Sequence, residues 1–511
     1  MTEQTDLEGT TPTEGGGTLV ALHVTDSTRF KTIPELDGKV AAAVAARAGL
    51  RDGRPFVLGA DGSYDVALNR FFSELDSWGV RAPNSIAAYA RDVMVFCRFL
   101  HESRGGKSIW ACDGADLRAY KQVRLRTPGG NQVSVATWRR SIAALNKWAA
   151  WALSQGLIDT EPFRYRDRTV WTPQGPRQVR INAESEPDPG PAPVRFVSFG
   201  DYLIWRDVGL RGRLPDGRVD PSWRGRHDQR NAAFADLLIS TGMRLSEGSS
   251  LLIPELPIVP TAGGGKLSGI HLGPAVTKRN RARVVFPSLR CLRALHRYTR
   301  IERDELVTRV RAAGGYVLDE NAEPVRRAGP LGLTFADGSS VRYGKLDPAT
   351  RARLMLLTPD GEPTAPLALW LGSDGMPVAP STWQSVFARA NARCAGFDLD
   401  LRISPHVARH VFAVHMLGLL LRQTVAALGD DPGSHYSSVQ VKRMLVGNPL
   451  RTLQRLLGHA SEHSVYIYLD VLDEVQEIVA AALEEWDAQA GALAAGTDAR
   501  AVDVPAGGDR L

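Results

Sequence analysis

The apolar positions of this chain recur at helical spacing over most of its length. Ile86, Tyr89, Val93, Phe96 and Leu100 follow one another at three- and four-residue steps. They predict a helix that Asn84 or Ser85 would cap. A second stripe, Val135, Trp138, Ile142, Leu145, Ala149 and Ala152, predicts a helix from near Ser134 to Gly156. Farther on, Phe234, Leu237 and Leu238 mark one face of a helix from Arg230 to Ser240, stopped at Gly242. Asp473 to Trp486 carries Val475, Ile478, Val479, Ala482, Leu483 and Trp486 on one stripe with acidic residues opposite, an amphipathic helix. Strand-like alternation is confined to short pieces. Ile270-His271-Leu272 and Arg283-Val284-Val285-Phe286 flank a basic turn, and Leu333-Thr334-Phe335 lies between turn signals such as Asp337-Gly338 and Asp360-Gly361. The expected class is mainly α with small β-hairpin elements (α+β).

At 511 residues the chain is too long for one ordinary core. Residues 1–30, rich in Thr, Gly and Glu, are expected to be a disordered tail, and 31–65 an N-terminal extension with an Ala-rich helical piece from Gly38 to Leu50. A helical domain over 66–165 follows. Residues 166–195 are dense in Pro, Arg, Asp and Glu and read as a linker. A second domain spans 196–487, with an inserted hairpin-containing subdomain at about 303–366. A loop around Gly429–Gly433 lengthens it again, and 488–511 form a second expected tail.

The 43% hydrophobic and 23% charged fractions are those of a soluble globular protein, and no apolar run reaches membrane-span length. Cys97, Cys112, Cys291 and Cys394 are isolated from one another. They have neither disulfide-framework nor zinc spacing, which favours a reducing cytoplasm. A net charge of +6 and a pI near 9.2 admit a polyanion as partner without requiring one. Arg139, Arg140 and Lys147, with the segment Lys121–Arg126, give the first domain a basic side suited to a phosphate backbone. A solvated charged face fits those residues equally well.

Three motifs carry candidate chemistry. Arg244, in Thr241-Gly242-Met243-Arg244, sits where one helix stops and another starts, and can present its planar fork to two oxygens of one phosphate. Glu247, three residues on, can orient it. In Ser404-Pro405-His406-Val407-Ala408-Arg409, Ser404 is a natural N-cap and Pro405 a natural first residue. His406 and Arg409 then share the first turn of a helix whose N-terminus attracts anions. A capped surface helix would explain the Ser and Pro but not the pairing of His with Arg. Third, Leu456-Leu457-Gly458-His459 is followed by Tyr468 nine residues later, with Tyr466 as its rival. Lys278 lies in the polar turn Thr277–Arg283, flanked by Arg279 and Arg281; such a turn can be basic for solubility alone.

In this order, Arg, then His-x-x-Arg, then Leu-Gly-His followed by Tyr, the motifs resemble the tyrosine recombinase (phage integrase) family over roughly residues 66–486. The resemblance implies a helical core-binding domain and a catalytic domain that clamp DNA from opposite sides. It implies Tyr468 as nucleophile, Arg244 and Arg409 as phosphate clamp, Lys278 as general acid to the leaving 5′ oxygen, and His459 as a donor to the phosphate. His406 is the plausible acceptor of the phenol proton, and His410 is left outside the set. Arg279 and Arg281 join the basic residues of the first domain as expected DNA contacts. No metal or cofactor is expected, because guanidiniums can neutralise the phosphate and no two-metal Asp/Glu cluster stands out.

The implied activity is site-specific recombination by an integrase or transposase of a mobile element. Its 3′-phosphotyrosine would store the energy of the broken strand without ATP. The implied partners are double-stranded DNA and three further copies in a homotetramer on synapsed DNA, with room for accessory DNA-bending proteins. A cytoplasmic, nucleoid-associated location follows. In the family the C-terminal helix often docks into a neighbouring protomer; docking onto its own domain fits the sequence as well. A catalytically idle DNA-binding relative and a type IB topoisomerase are the alternatives.

Overall fold

The computed structural model describes residues 21–26, 51–59, 61–126, 132–172, 175–187, 196–259, 269–319, 321–426, 448–459 and 463–468, with positions 40, 47, 190 and 461. The chain divides into two compact units, Met1–Ala192 and Pro193–Leu511. Helices dominate and the sheets are small. Among the described residues no helix is long and apolar enough to cross a membrane.

The first unit opens on two paired strands, β1 (Ala21–Val24) and β2 (Pro55–Leu58). Part of the expected N-terminal tail is thus a strand. Helices α1 (Val66–Glu74), α2 (Pro83–Ser103), α3 (Gly114–Arg126) and α4 (Val135–Ser154) follow. Their stripes meet in one core containing Phe71, Phe96, Trp138, Trp148 and Trp151. Ser134 caps α4 as expected, accepting from Thr137 N–H. α2 instead starts at Pro83 with Ala82 as its cap, because proline sets the first turn without a side-chain partner. The expected linker is largely a β-ribbon. β3 (Tyr165–Thr172) pairs with β4 (Gly175–Asn182) along their whole length.

The second unit begins with α5 (Phe199–Arg211), α6 (Asp228–Thr241) and the short α7 (Leu245–Ser249). A two-stranded sheet follows, β5 (Ile270–Leu272) with β6 (Arg283–Val285), as the alternation predicted. Then come α8 (Leu289–Tyr298) and α9 (Asp304–Ala312), joined through a π turn at Thr299–Arg303. The insertion is more than a hairpin. β7 (Glu323–Ala328), β8 (Gly332–Phe335), β9 (Ser340–Arg342), β10 (Leu354–Leu357) and β11 (Pro363–Pro366) form one sheet in the order β11-β10-β7-β8-β9. Its β10–β7 pair is parallel and the others antiparallel. α10 (Pro348–Arg353) lies within it, and α11 (Pro380–Ala395), α12 (Pro405–Ala426) and α13 (Pro449–Leu457) complete the unit. The loop at 429–433, the helix at 473–486 and the tail at 488–511 lie outside the described residues.

Two buried arginines fasten the insertion. Arg303 donates to the carbonyls of Pro366 and Ala368, at 2.6 and 3.0 Å, and so closes the insertion at its base. Arg351 forks onto the Glu255 carboxylate at 2.6 and 2.9 Å and donates to the carbonyls of Tyr343, Leu346 and Ser250. Ser250 and Glu255 belong to the segment directly after α7, which also pairs with the far end of the insertion through Leu252 and Ala368. The sheet therefore braces the segment that leaves α7. Truncating Arg351 to Ala strands the Glu255 carboxylate and three buried carbonyls. We expect a loss of about 3–5 kcal/mol in denaturant unfolding, with both units still helical by circular dichroism.

Candidate active site

α6 ends because Gly242 takes the left-handed conformation, φ 63°. A Cβ there would lie 2.3 Å from Phe412 and 3.0 Å from Leu457, so only glycine lets α6, α12 and α13 approach this closely. The chain then turns directly into α7, and Arg244 stands at the junction. The Glu247 carboxylate accepts Arg244 N–H at 2.7 Å and Arg244 Nη1 at 3.1 Å. The same carboxylate, fully buried, takes a two-pronged bond from Arg283 Nη1 and Nη2 at 2.9 and 2.5 Å. Burial alone would raise this carboxyl, but Arg283 and Arg244 hold it below the ordinary carboxylate range.

Arg283 was absent from the residues picked by sequence. It sits on β6, and its Nε donates to the Leu456 carbonyl at 3.1 Å. Alternation along β6 was the available signal: Arg283 and the buried Val285 point the same way, whereas Arg279 and Arg281 lie in the exposed turn.

Ser404 caps α12 by accepting Val407 N–H at 3.2 Å, and Pro405 opens the helix. Arg409, 4% exposed, reaches across the unit. Its Nη1 donates to the Gly242 carbonyl and its Nη2 to the Leu457 carbonyl at 2.7 Å. Leu456 and Leu457 are the last residues of α13, so both guanidiniums satisfy carbonyls that the helix end leaves unpaired. Burial, then the charge of Arg244, pushes Arg409 down to about 10, still cationic at neutral pH. Its three remaining N–H groups donate to no other described residue.

Gly458, φ 66°, ends α13 and passes the chain to His459. Tyr468 follows, 2% exposed, whereas Tyr466 is 43% exposed. The Tyr468 ring lies 5.6 Å from the His410 ring and 6.4 Å from the His459 ring, centre to centre. His410 in turn meets His406 edge-on at 4.3 Å. Burial raises the Tyr468 phenol, while Arg409 and Arg244 pull it back. The histidines are held neutral. Burial and neighbouring cations press His459 and His410 down to about 4, and His406 also falls below its usual range. His410 and His459 each keep a buried Nδ1 without a partner among the described residues.

The structure thus gathers Arg244, Glu247, Arg409, His406, His459 and Tyr468 with Arg283 and His410. It does not bring in Lys278, which stands exposed in the β5–β6 turn beside exposed Arg279 and Arg281. Two expected DNA contacts are otherwise engaged. Arg140 forks onto the buried Asp92 at 2.7 and 3.0 Å, and Lys147 donates to the Trp78 carbonyl at 2.6 Å. Their charges serve the first unit's own packing.

Residues 68–156 match the family described as phage integrase, N-terminal SAM-like domain. The chain is 25% identical over 416 residues to tyrosine recombinase XerC of Bifidobacterium longum, covering 75% of this chain and 96% of that one. It is also 39% identical over 71 residues to tyrosine recombinase XerD of Brucella abortus, 14% of this chain and 23% of the relative. Among solved structures it is similar to XerH site-specific recombinase bound to palindromic difH substrate, at 14% identity and a TM-score of 0.43, covering 90% and 93% of the two chains.

Removing the Glu247 charge separates its structural work from any other. Glu247→Ala leaves the buried Arg283 unpaired, and chemical denaturation should show a loss of about 3–5 kcal/mol. Acid should also loosen this unit. His410 and His459 titrate near 4 when folded but near 6.5 when unfolded, so the unfolded chain binds protons first. Stability falls as pH drops from about 6.5 to about 4. His410→Gln should flatten that slope in urea titrations run at several pH values.

Proposed function

Because the chain belongs to the tyrosine recombinase family, we propose that it cuts and rejoins DNA at a specific site through a 3′-phosphotyrosine formed on Tyr468. The observation that carries this reading is the convergence on Tyr468 of Arg244, Arg409, His410 and His459. Their segments lie far apart in sequence yet meet through Gly242 and the end of α13.

Arg244 and Arg409 take the two non-bridging oxygens of the scissile phosphate, whose charge grows as the phenol attacks. Glu247 and Arg283 hold Arg244 in place from below. His459 donates to the same phosphate. The phenol proton leaves toward His406, an exposed imidazole kept neutral and ready to accept it. Phosphorus then bonds to the Tyr468 oxygen as the bond to the 5′ oxygen breaks. Lys278 supplies a proton to that oxygen from its exposed turn, a position open to a bound duplex. Attack by another strand's 5′-hydroxyl reverses the chemistry and joins new partners. Four copies on two duplexes would carry out such an exchange, as an integrase or transposase does.

A duplex nicked beside the scissile phosphate loses its 5′ fragment and traps the covalent adduct. Wild type and Tyr466→Phe should form the adduct, and Tyr468→Phe should not. An adduct persisting in Tyr468→Phe would sink the assignment. With His406 depressed, the acid limb of the cleavage rate should lie below the ordinary imidazole value of about 6.5, and His406→Gln should abolish that limb.

A further inference from the structure

We propose that the β3–β4 ribbon is a DNA-reading arm that lies in the major groove beside the cleaved site. This rests on the reading that the chain acts on DNA. The two strands pair through eight residues each, from Tyr165–Asn182 to Thr172–Gly175. At about 3.3 Å per residue the arm is roughly 25 Å long.

Among the described residues, its root is what is fastened to the rest of the unit. Tyr165 and Asn182 donate to Asn146 at 3.3 and 2.7 Å, and Arg180 stacks on the Tyr165 ring and forks onto Glu161. Beyond the root, Arg166, Asp167, Arg168, Thr169, Val170 and Trp171 are all exposed, although strand alternation sends them to opposite faces. A two-stranded ribbon with no core against either face is marginal by itself. Among the described residues nothing covers the outer part of the ribbon, so a bound partner would supply what they do not.

The charge says what that partner is. The pairing register puts Arg166, Arg168 and Arg177 on one face, together with Val170, Val179 and Ile181. That face carries no acidic side chain, since Asp167 points to the other one. None of the three arginines hydrogen-bonds to another described residue. Arg166 also lies near enough to Glu186 to help lower that carboxyl, yet three exposed guanidiniums on one face fit a polyanion. The major groove, about 12 Å wide, admits a two-stranded ribbon, and arginine is the side chain that best reads guanine there.

Duplexes selected by the full-length protein from a randomised library provide the probe. Binding is compared between wild type and Arg166→Gln/Arg168→Gln/Arg177→Gln, whose changes are exposed and leave the root intact. N7 methylation of guanines should interfere with wild-type binding at positions flanking the cleaved site, and that flanking interference should vanish in the variant. Affinity should fall by about tenfold or more, each bidentate guanine contact being worth that much. The variant should still form the Tyr468 adduct on a nicked duplex trimmed to the cleaved site.

An adduct with an unchanged methylation pattern and salt dependence would overturn the arm while leaving the recombinase reading intact. A smaller salt slope with no change at any guanine would also overturn groove reading, placing the arginines on phosphates. A variant altered only in self-association would assign the face to a second copy instead. Absence of both DNA binding and adduct in wild type would fail the reading on which the arm rests.

Discussion

The Glu247 carboxylate is the constraint on which the second unit depends. Three guanidiniums approach one another at the meeting of α6, α7, β6, α12 and α13. Without an anion among them, like charges in a water-poor interior would drive these elements apart. One fully buried carboxylate binds Arg244 and Arg283 at once and also caps α7. Arg409 needs no carboxylate because backbone carbonyls receive it. Fixing cations in this way makes the positive field a property of the fold rather than of mobile side chains.

That field sorts the other titratable groups. Burial and positive charge act together on histidine, so all three imidazoles stay neutral at pH 7. On Tyr468 they oppose one another, and burial wins. The phenol therefore stays protonated at neutral pH. The arrangement keeps the phenol neutral within a positive field that the fold itself holds in place.

How much of this was legible in the sequence depended on how local each cause is. The helical stripes at Ile86–Leu100 and Val135–Ala152 were visible because one-sided burial imposes its period on the sequence. The Ser404-Pro405 start of α12 and the stop at Gly242 were visible for the same local reason. Arg283 escaped notice in a run of arginines, since its partner lies 36 positions away. Arg140 and Lys147 looked like an outward basic face because nothing local betrays Asp92 or the Trp78 carbonyl as their acceptors. The ribbon at Tyr165–Asn182 was hidden by its prolines and charges, which are tolerated because neither face is packed. The sheet of the insertion depends on a parallel pair and on Arg351, both contacts of long sequence separation.

Gly242 has a mechanical consequence. Its carbonyl and that of Leu457 are the acceptors that hold Arg409, and a carbonyl in the main chain cannot swing aside as a side chain can. The cationic framework is accordingly stiff. The Tyr468 side chain, by contrast, sits among rings, and its hydroxyl makes no hydrogen bond to a described residue. If this site rearranges, the travelling part is the aromatic ring rather than the socket, and the tempo of the change becomes a question of how fast one ring can pivot.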